Sequence, residues 1–173
     1  MSKILTPTEW ESIRSHLNPF YQILSDAYLY TGMEPTEFWE FTQNTHWYLP
    51  AWHRIKLNHE RREIFLSIEG TKAMDVFVAA INGGTTVYRD RASFRDTLMR
   101  AATVAGIELE GINPMMFRKT LSAWLVAIFP EKWEMVVRSM GCTVETIRET
   151  QKERKFSRED LTKIRNHLKG WGE

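Results

Sequence analysis

The chain has 173 residues, 43% of them hydrophobic and 12% aromatic, with a formal net charge of +1. This composition supports a buried core and excludes a disordered chain. Its apolar runs fall short of the ~20 residues a membrane span needs, and charge and proline within residues 1–7 interrupt any signal-peptide hydrophobic region. One cysteine, Cys142, forbids an internal disulfide and cannot alone make a structural zinc site. A cytoplasmic protein without metal, cofactor or membrane association is expected.

Thr6-Pro7-Thr8-Glu9 reads as a helix start, with Thr6 as cap, Pro7 at the first helical position and Glu9 completing a capping box. A helix to about His16 follows. Asn18-Pro19 opens a second, carrying Tyr21, Leu24, Tyr28 and Leu29 at helical spacing and stopping near Gly32. Pro35-Thr36-Glu37 starts a short third helix bearing Phe38 and Trp39.

The stretch 46–57 is aromatic and β-branched and predicts one strand; 63–68 predicts a second, with Asn58-His59-Glu60-Arg61 as the hairpin loop. Six further helices are expected at about 71–82, 92–105, 114–128, 131–139, 144–154 and 158–169. Asn113 and Ser157 are candidate caps, with Pro114 at a first helical position and Asp160 three residues past Ser157. No repeat or linker divides the chain, so one domain spanning 1–173 is expected. The fold class is α+β, mostly α, with a small β-sheet near 46–68.

Charge is unevenly distributed. Residues 1–46 hold two basic and six acidic side chains, and 138–173 hold nine basic and six acidic. The basic C-terminal third fits either a phosphate-facing surface or an ordinary solvated helix face. Within it, Arg148, Lys152 and Lys155 follow i, i+4, i+7 spacing.

Four stretches taken together carry a resemblance. Tyr30-Thr31-Gly32-Met33-Glu34-Pro35-Thr36-Glu37 looks like a Thr-Gly-x-Arg-x-x-Glu turn, and Tyr48 to Arg54 with the following hairpin looks like the sheet that succeeds it. Met116-Phe117-Arg118-Lys119 resembles a second-arginine helix, and Ser139-Met140-Gly141-Cys142 the turn beyond it. In this order they resemble the catalytic domain of tyrosine recombinases, and more closely the integrases of archaeal spindle-shaped viruses. The resemblance runs from Thr6 to Trp171, without the family's N-terminal core-binding domain. Lacking that domain, the chain would not close a clamp around duplex DNA.

The resemblance implies a metal-free transesterification. A tyrosine hydroxyl attacks phosphorus to form a covalent 3′-phosphate link and release a 5′-hydroxyl. Two arginines hold the nonbridging oxygens, and a hairpin lysine protonates the leaving oxygen. Carried onto this chain, the second arginine is Arg118. The first-arginine position holds Glu34, and the two histidine positions hold Met115 and Cys142. The hairpin lysine has four counterparts: Lys56, Arg61, Arg62 or Lys72. No tyrosine follows Tyr88, and Thr150, Gln151, Lys152 and Glu153 stand where the nucleophile would fall.

The expected function is therefore a DNA-binding, recombinase-like protein of a mobile element or virus that does not cleave DNA. Arg118, Lys119, Arg148, Lys152, Arg154 and Lys155 are the candidate DNA contacts. Two alternatives stand beside it. One is an active recombinase with a rearranged or partner-supplied nucleophile. The other is an interaction module keeping only the fold, which binds itself or an intact recombinase through the apolar stripe Leu161, Ile164, Leu168 and Trp171. Arg118 has a structural reading too, as the partner of Glu34 or Glu37. His46, His53 and His59 lack metal-ligand spacing. Trp124 and Trp133 are expected in the core, and Trp47 and Trp52 on opposite faces of one strand.

Overall fold

The computed structural model describes residues 1–57, 62–87 and 91–173. Nine α-helices surround a small three-stranded antiparallel sheet among these residues. The chain begins with α1 (Pro7–Ser15), α2 (Pro19–Thr31) and α3 (Pro35–Thr42). The expected capping box of α1 forms, with Thr6 and Glu9 bonding reciprocally. Asn18 caps α2 by accepting from the Tyr21 N–H, and Gly32 ends it in the left-handed region at φ 60°. A Cβ at Gly32 would lie 2.6 Å from Met140 Cε, so this turn needs glycine for conformation and for space.

The expected strand over 46–57 is broken in two. β1 (Tyr48–Leu49) and β2 (Arg54–Lys56) pair as a hairpin around the short 3₁₀ turn Pro50–Trp52, and β3 (Glu63–Phe65) adds to β2. Pro50 is the cause: it cannot donate to a ladder and its fixed φ favours the turn. His53 closes the turn at φ 50°, a strained conformation for a non-glycine residue, steadied by its ring bond to Thr71 Oγ1 at 2.9 Å. Trp47 and Trp52 therefore do not share a strand. Trp47 is partly buried in the preceding 3₁₀ turn, and Trp52 is 69% exposed. The expected loop 58–61, with His59 and Arg61, lies outside the described residues.

The second expected strand is cut short at Phe65 because Ser67 caps a helix, accepting from the Gly70 N–H at 3.0 Å. That helix, α4 (Ile68–Asn82), begins three residues before the expected 71. Then come α5 (Ala92–Val104), α6 (Met115–Ile128), α7 (Trp133–Met140), α8 (Val144–Glu153) and α9 (Arg158–Leu168). Pro114 precedes α6 instead of opening it. The Asn113 side chain bonds Ser2 Oγ and Gly111 O in place of capping. Ser157 and Asp160 form the expected box on α9.

α6 is the central helix, packed against α2, α7, α8 and α9. Its residues 120–126 are all buried, Trp124 completely. Trp124 Nε1 donates to Leu5 O at 2.9 Å, and Thr120 Oγ1 accepts from the Leu5 N–H at 3.0 Å, which ties the N-terminal segment to the core. Trp133 is not core as expected. It is the first residue of α7 and 42% exposed, while Val136 and Met140 face inward.

The C-terminal stripe is also placed differently from the docking expectation. Ile164, Leu168 and Trp171 are buried in the chain's own core, and Leu161 packs beside them. Trp171 stacks on Phe129 and meets Phe65 edge-on. These side chains are already covered and present no free apolar face. No described helix is long and apolar enough to cross a membrane.

Candidate anion-binding site

Three chain segments converge on Arg118, one turn into α6. The Thr31-Gly32 turn ends α2, the Met140-Gly141 turn ends α7, and Arg62 leads into β3. Both glycines adopt φ 60°, which aims the adjacent carbonyls inward. Arg118 Nη1 donates to Gly32 O at 2.7 Å, and Nη2 donates to Met140 O and, at 3.4 Å, to Gly141 O. One guanidinium thus caps the C-termini of two helices, where the helix dipoles favour positive charge. Burial lowers the Arg118 pKa from its ordinary value, and the nearby charge of Arg62 lowers it further.

The carboxylates divide unequally. Glu34 Oε1 lies 3.8 Å from Arg118 Nη2, and its side chain is 55% exposed. This is a loose contact. Glu37 instead takes Arg62, through Arg62 Nη1, with the two side chains only 10% and 25% exposed. Glu37 Oε1 also accepts from the Glu34 N–H at 2.8 Å, fastening the start of α3. Arg62 Nε donates to Ser139 O at 2.9 Å, and Arg62 Nη2 is buried without any hydrogen-bond partner. A Cβ at Gly141 would stand 2.9 Å from Arg62 Cδ, so the turn and the arginine are in direct contact.

Of the four hairpin-lysine counterparts, Arg62 is the one brought to this cluster. Lys56 is exposed on β2. Lys72 pairs with Glu69 and lines a separate cavity with Asp26, Tyr30 and His167. Arg61 lies outside the described residues. Sequence reasoning did not anticipate the Arg62–Glu37 pair. The two residues are 25 positions apart, and no spacing or motif in the sequence joins them.

Beside Arg118, a cavity of about 390 Å³ opens between α6 and α8, lined in part by Met115, Lys119, Cys142, Thr146 and Glu149. Met115 and Cys142, at the two expected histidine positions, both face it. Cys142 is half-buried, and burial raises its thiol pKa more than Arg118 and Arg62 lower it, which disfavours thiolate. No tyrosine lines the cavity among the described residues. Thr150, at the nucleophile position, is buried and donates back to Thr146 O at 2.8 Å. Its hydroxyl has Glu149 and Glu153 as cavity neighbours, whose negative charge opposes a phosphate.

The six expected DNA contacts fall into two sets. Arg118 is bonded as above; Lys119 pairs with Glu153 at 2.6 Å and donates to Ser2 O; Arg154 pairs with Glu9 at 3.1 Å and donates to Ile4 O. Arg148, Lys152 and Lys155, joined by Arg158, are exposed and make no ion pair among the described residues. Lys155 does not continue the helical face, because α8 ends at Glu153 and Arg154 is extended at φ −144°, ψ 132°. No group of three potential metal-binding side chains occurs among the described residues.

The whole arrangement, a helical domain around α6 with a small antiparallel sheet beside it, is a tyrosine-recombinase-like α+β fold. The crystal structure of XerA recombinase aligns with 96% of this chain at a TM-score of 0.65 and 14% sequence identity, and this chain spans 63% of that chain's length. No family model and no curated protein sequence matches the chain.

Proposed function

We propose that this chain is a DNA-binding, recombinase-like protein of mobile-element or viral origin that does not cleave DNA. The observation carrying this reading is the set of exposed basic residues Arg148, Lys152, Lys155 and Arg158, without an ion pair among the described residues, on and just beyond the helix that borders the Arg118 cavity. Backbone phosphates require only positive charge within reach, and these side chains supply it without first breaking an ion pair. The absence of cleavage follows from chemistry. No phenol lines the cavity among the described residues, Glu34 brings negative charge to Arg118, and the Thr150 hydroxyl is buried and bonded to the helix backbone.

The test is fluorescence anisotropy of a labelled duplex across a salt series, for the wild type and Lys152→Ala/Lys155→Ala. Binding should weaken with salt, and the variant's log–log slope should be shallower by up to about 2, at roughly 0.9 per lost phosphate contact. Absence of binding at low salt would refute the reading. A covalent protein–DNA adduct surviving denaturation would refute the absence of cleavage and favour a rearranged or partner-supplied nucleophile.

A further inference from the structure

α9 is held to the protein along one broad face. Ile164 and Leu168 are buried, His167 Nδ1 shares a 2.7 Å hydrogen bond with Tyr30 Oη, and Lys163 Nζ donates to Thr8 Oγ1 at 3.0 Å. The C-terminal end is fastened by Lys169 O, which accepts from the Ile68 N–H at 2.9 Å. The other side is exposed and carries Arg158, Thr162 and Arg165, with Lys169 at the C-cap. At about 100° per residue these four positions fall within an arc of about 60°. The acids of the first turn stand clear of them. Glu159 lies about 100° round the helix from Arg158, and Asp160, on the far side, is occupied in the capping box with Ser157. None of the three cations makes an ion pair among the described residues, whereas Lys163, on the inner side of the same helix, pairs with Glu11 at 3.5 Å.

We infer that this stripe tracks the phosphates of duplex DNA, an assignment that rests on the DNA-binding reading above and adds Arg165 and Lys169 to its contacts. From Arg158 to Lys169 the stripe is about 16 Å long at roughly 1.5 Å per residue, while each DNA strand presents a phosphate every ~3.4 Å of helix axis. Three cations so spaced meet separate phosphates of one strand instead of competing for one. They reach phosphate without first breaking an ion pair, and the packed inner face of α9 fixes the direction of the row before DNA arrives. An anionic bilayer is a poorer match. Helices that lie on membranes sink an apolar face into the lipid, and the apolar face of α9 is already covered by the core.

The test is the duplex anisotropy salt series on Arg165→Ala/Lys169→Ala, with Arg95→Ala/Arg100→Ala as a control that removes equal charge from the exposed side of α5. The α9 variant should bind more weakly, with a log–log slope shallower by up to about 2, at roughly 0.9 per lost phosphate contact. The α5 variant should keep the wild-type slope. Thr162→Glu sets a carboxylate four residues from Arg158 and three from Arg165, spacings at which opposite charges stabilise a helix. It should melt no lower than the wild type yet bind DNA more weakly, which separates loss of the surface from loss of the fold. A wild-type slope in Arg165→Ala/Lys169→Ala overturns the assignment and leaves the reading on Lys152 and Lys155 intact. An equal slope change in the α5 variant reduces the effect to net charge and overturns it too. Absence of wild-type binding overturns both. Pelleting with phosphatidylserine vesicles that is lost in Arg165→Ala/Lys169→Ala, with duplex binding unchanged, would give the stripe to a lipid surface instead.

Discussion

Glu37 and Glu34 sit three residues apart at the start of α3, yet the structure gives them very different burdens. Glu37→Gln removes one charge and keeps an amide oxygen that can still accept the Glu34 N–H, so the start of α3 survives. The positive charge of Arg62 is then left without a counter-charge in a site where its side chain is 10% exposed, with only neutral oxygens, the position-37 amide and Ser139 O, as acceptors. Breaking a buried ion pair by removing one partner costs about 3–5 kcal/mol. Glu37 is itself 25% exposed, so water reaches part of the pair and about 2–3 kcal/mol is the expected loss. For a domain of this size that lowers the melting temperature by roughly 5–10 °C. Glu34→Gln removes the same charge from a contact 3.8 Å long and 55% exposed, so it should change stability by about 0.5 kcal/mol or less. Urea unfolding of the two variants and the wild type, with the m-value checked for constancy, measures both. A Glu34→Gln variant as destabilised as Glu37→Gln would refute the assignment of Arg62, rather than Arg118, as the principal partner of this acidic pair.

Three other outcomes are expected. Gly32→Ala should cost about 2–4 kcal/mol, combining left-handed backbone strain with overpacking against Met140, whereas Gly106→Ala, at φ 72° with nothing within 4 Å of a new Cβ, should cost only the strain, about 1–2 kcal/mol; equal costs in urea melts would argue against the packing component. Burial lowers the His167 pKa below its usual 6.5, more than Glu11 and Asp26 raise it, so the unfolded chain binds the extra proton first. Stability should fall as pH drops below about 6.5 towards the lowered value, and His167→Gln should flatten that slope; a slope unchanged in the variant would assign it to other groups. Cys142 should react with iodoacetamide more slowly than glutathione near neutral pH and accelerate as pH rises, and a faster reaction than glutathione would contradict a thiol held protonated by burial.

What was legible in the sequence was what is decided locally. The Thr6–Glu9 and Ser157–Asp160 boxes, the Asn18 cap and the Gly32 stop each depend on residues within four positions of one another, and all formed. The expected strand over 46–57 is interrupted by an equally local feature, because Pro50 inside an aromatic run favours a turn over a continuous ladder. Periodicity correctly marked Ile164, Leu168 and Trp171 as an apolar stripe, but a stripe does not encode whether its cover is the same chain or another. The site was half legible. Arg118 and the two glycine turns stood in readable stretches, whereas the approach of Arg62 to Glu37 depends on how the β2–β3 pairing returns the chain towards α3. The bond between Tyr30 Oη and His167 Nδ1, at 2.7 Å, joins residues 137 apart and left no trace in spacing.

The burial of Trp171 bears on when this protein can fold. Lys169 O accepts from the Ile68 N–H at 2.9 Å, and the Trp171 ring closes over Phe65 and Phe129, so the sheet and the start of α4 acquire part of their packing from residues made a hundred positions later. A chain still being synthesised has α2, α4 and α6 available to associate, but the apolar surface around Phe65 and Phe129 stays open to solvent or chaperones until Trp171 has left the ribosome. Truncation just before Trp171 would therefore leave an open seam, and purified chains ending on either side of that residue should differ sharply in protease resistance.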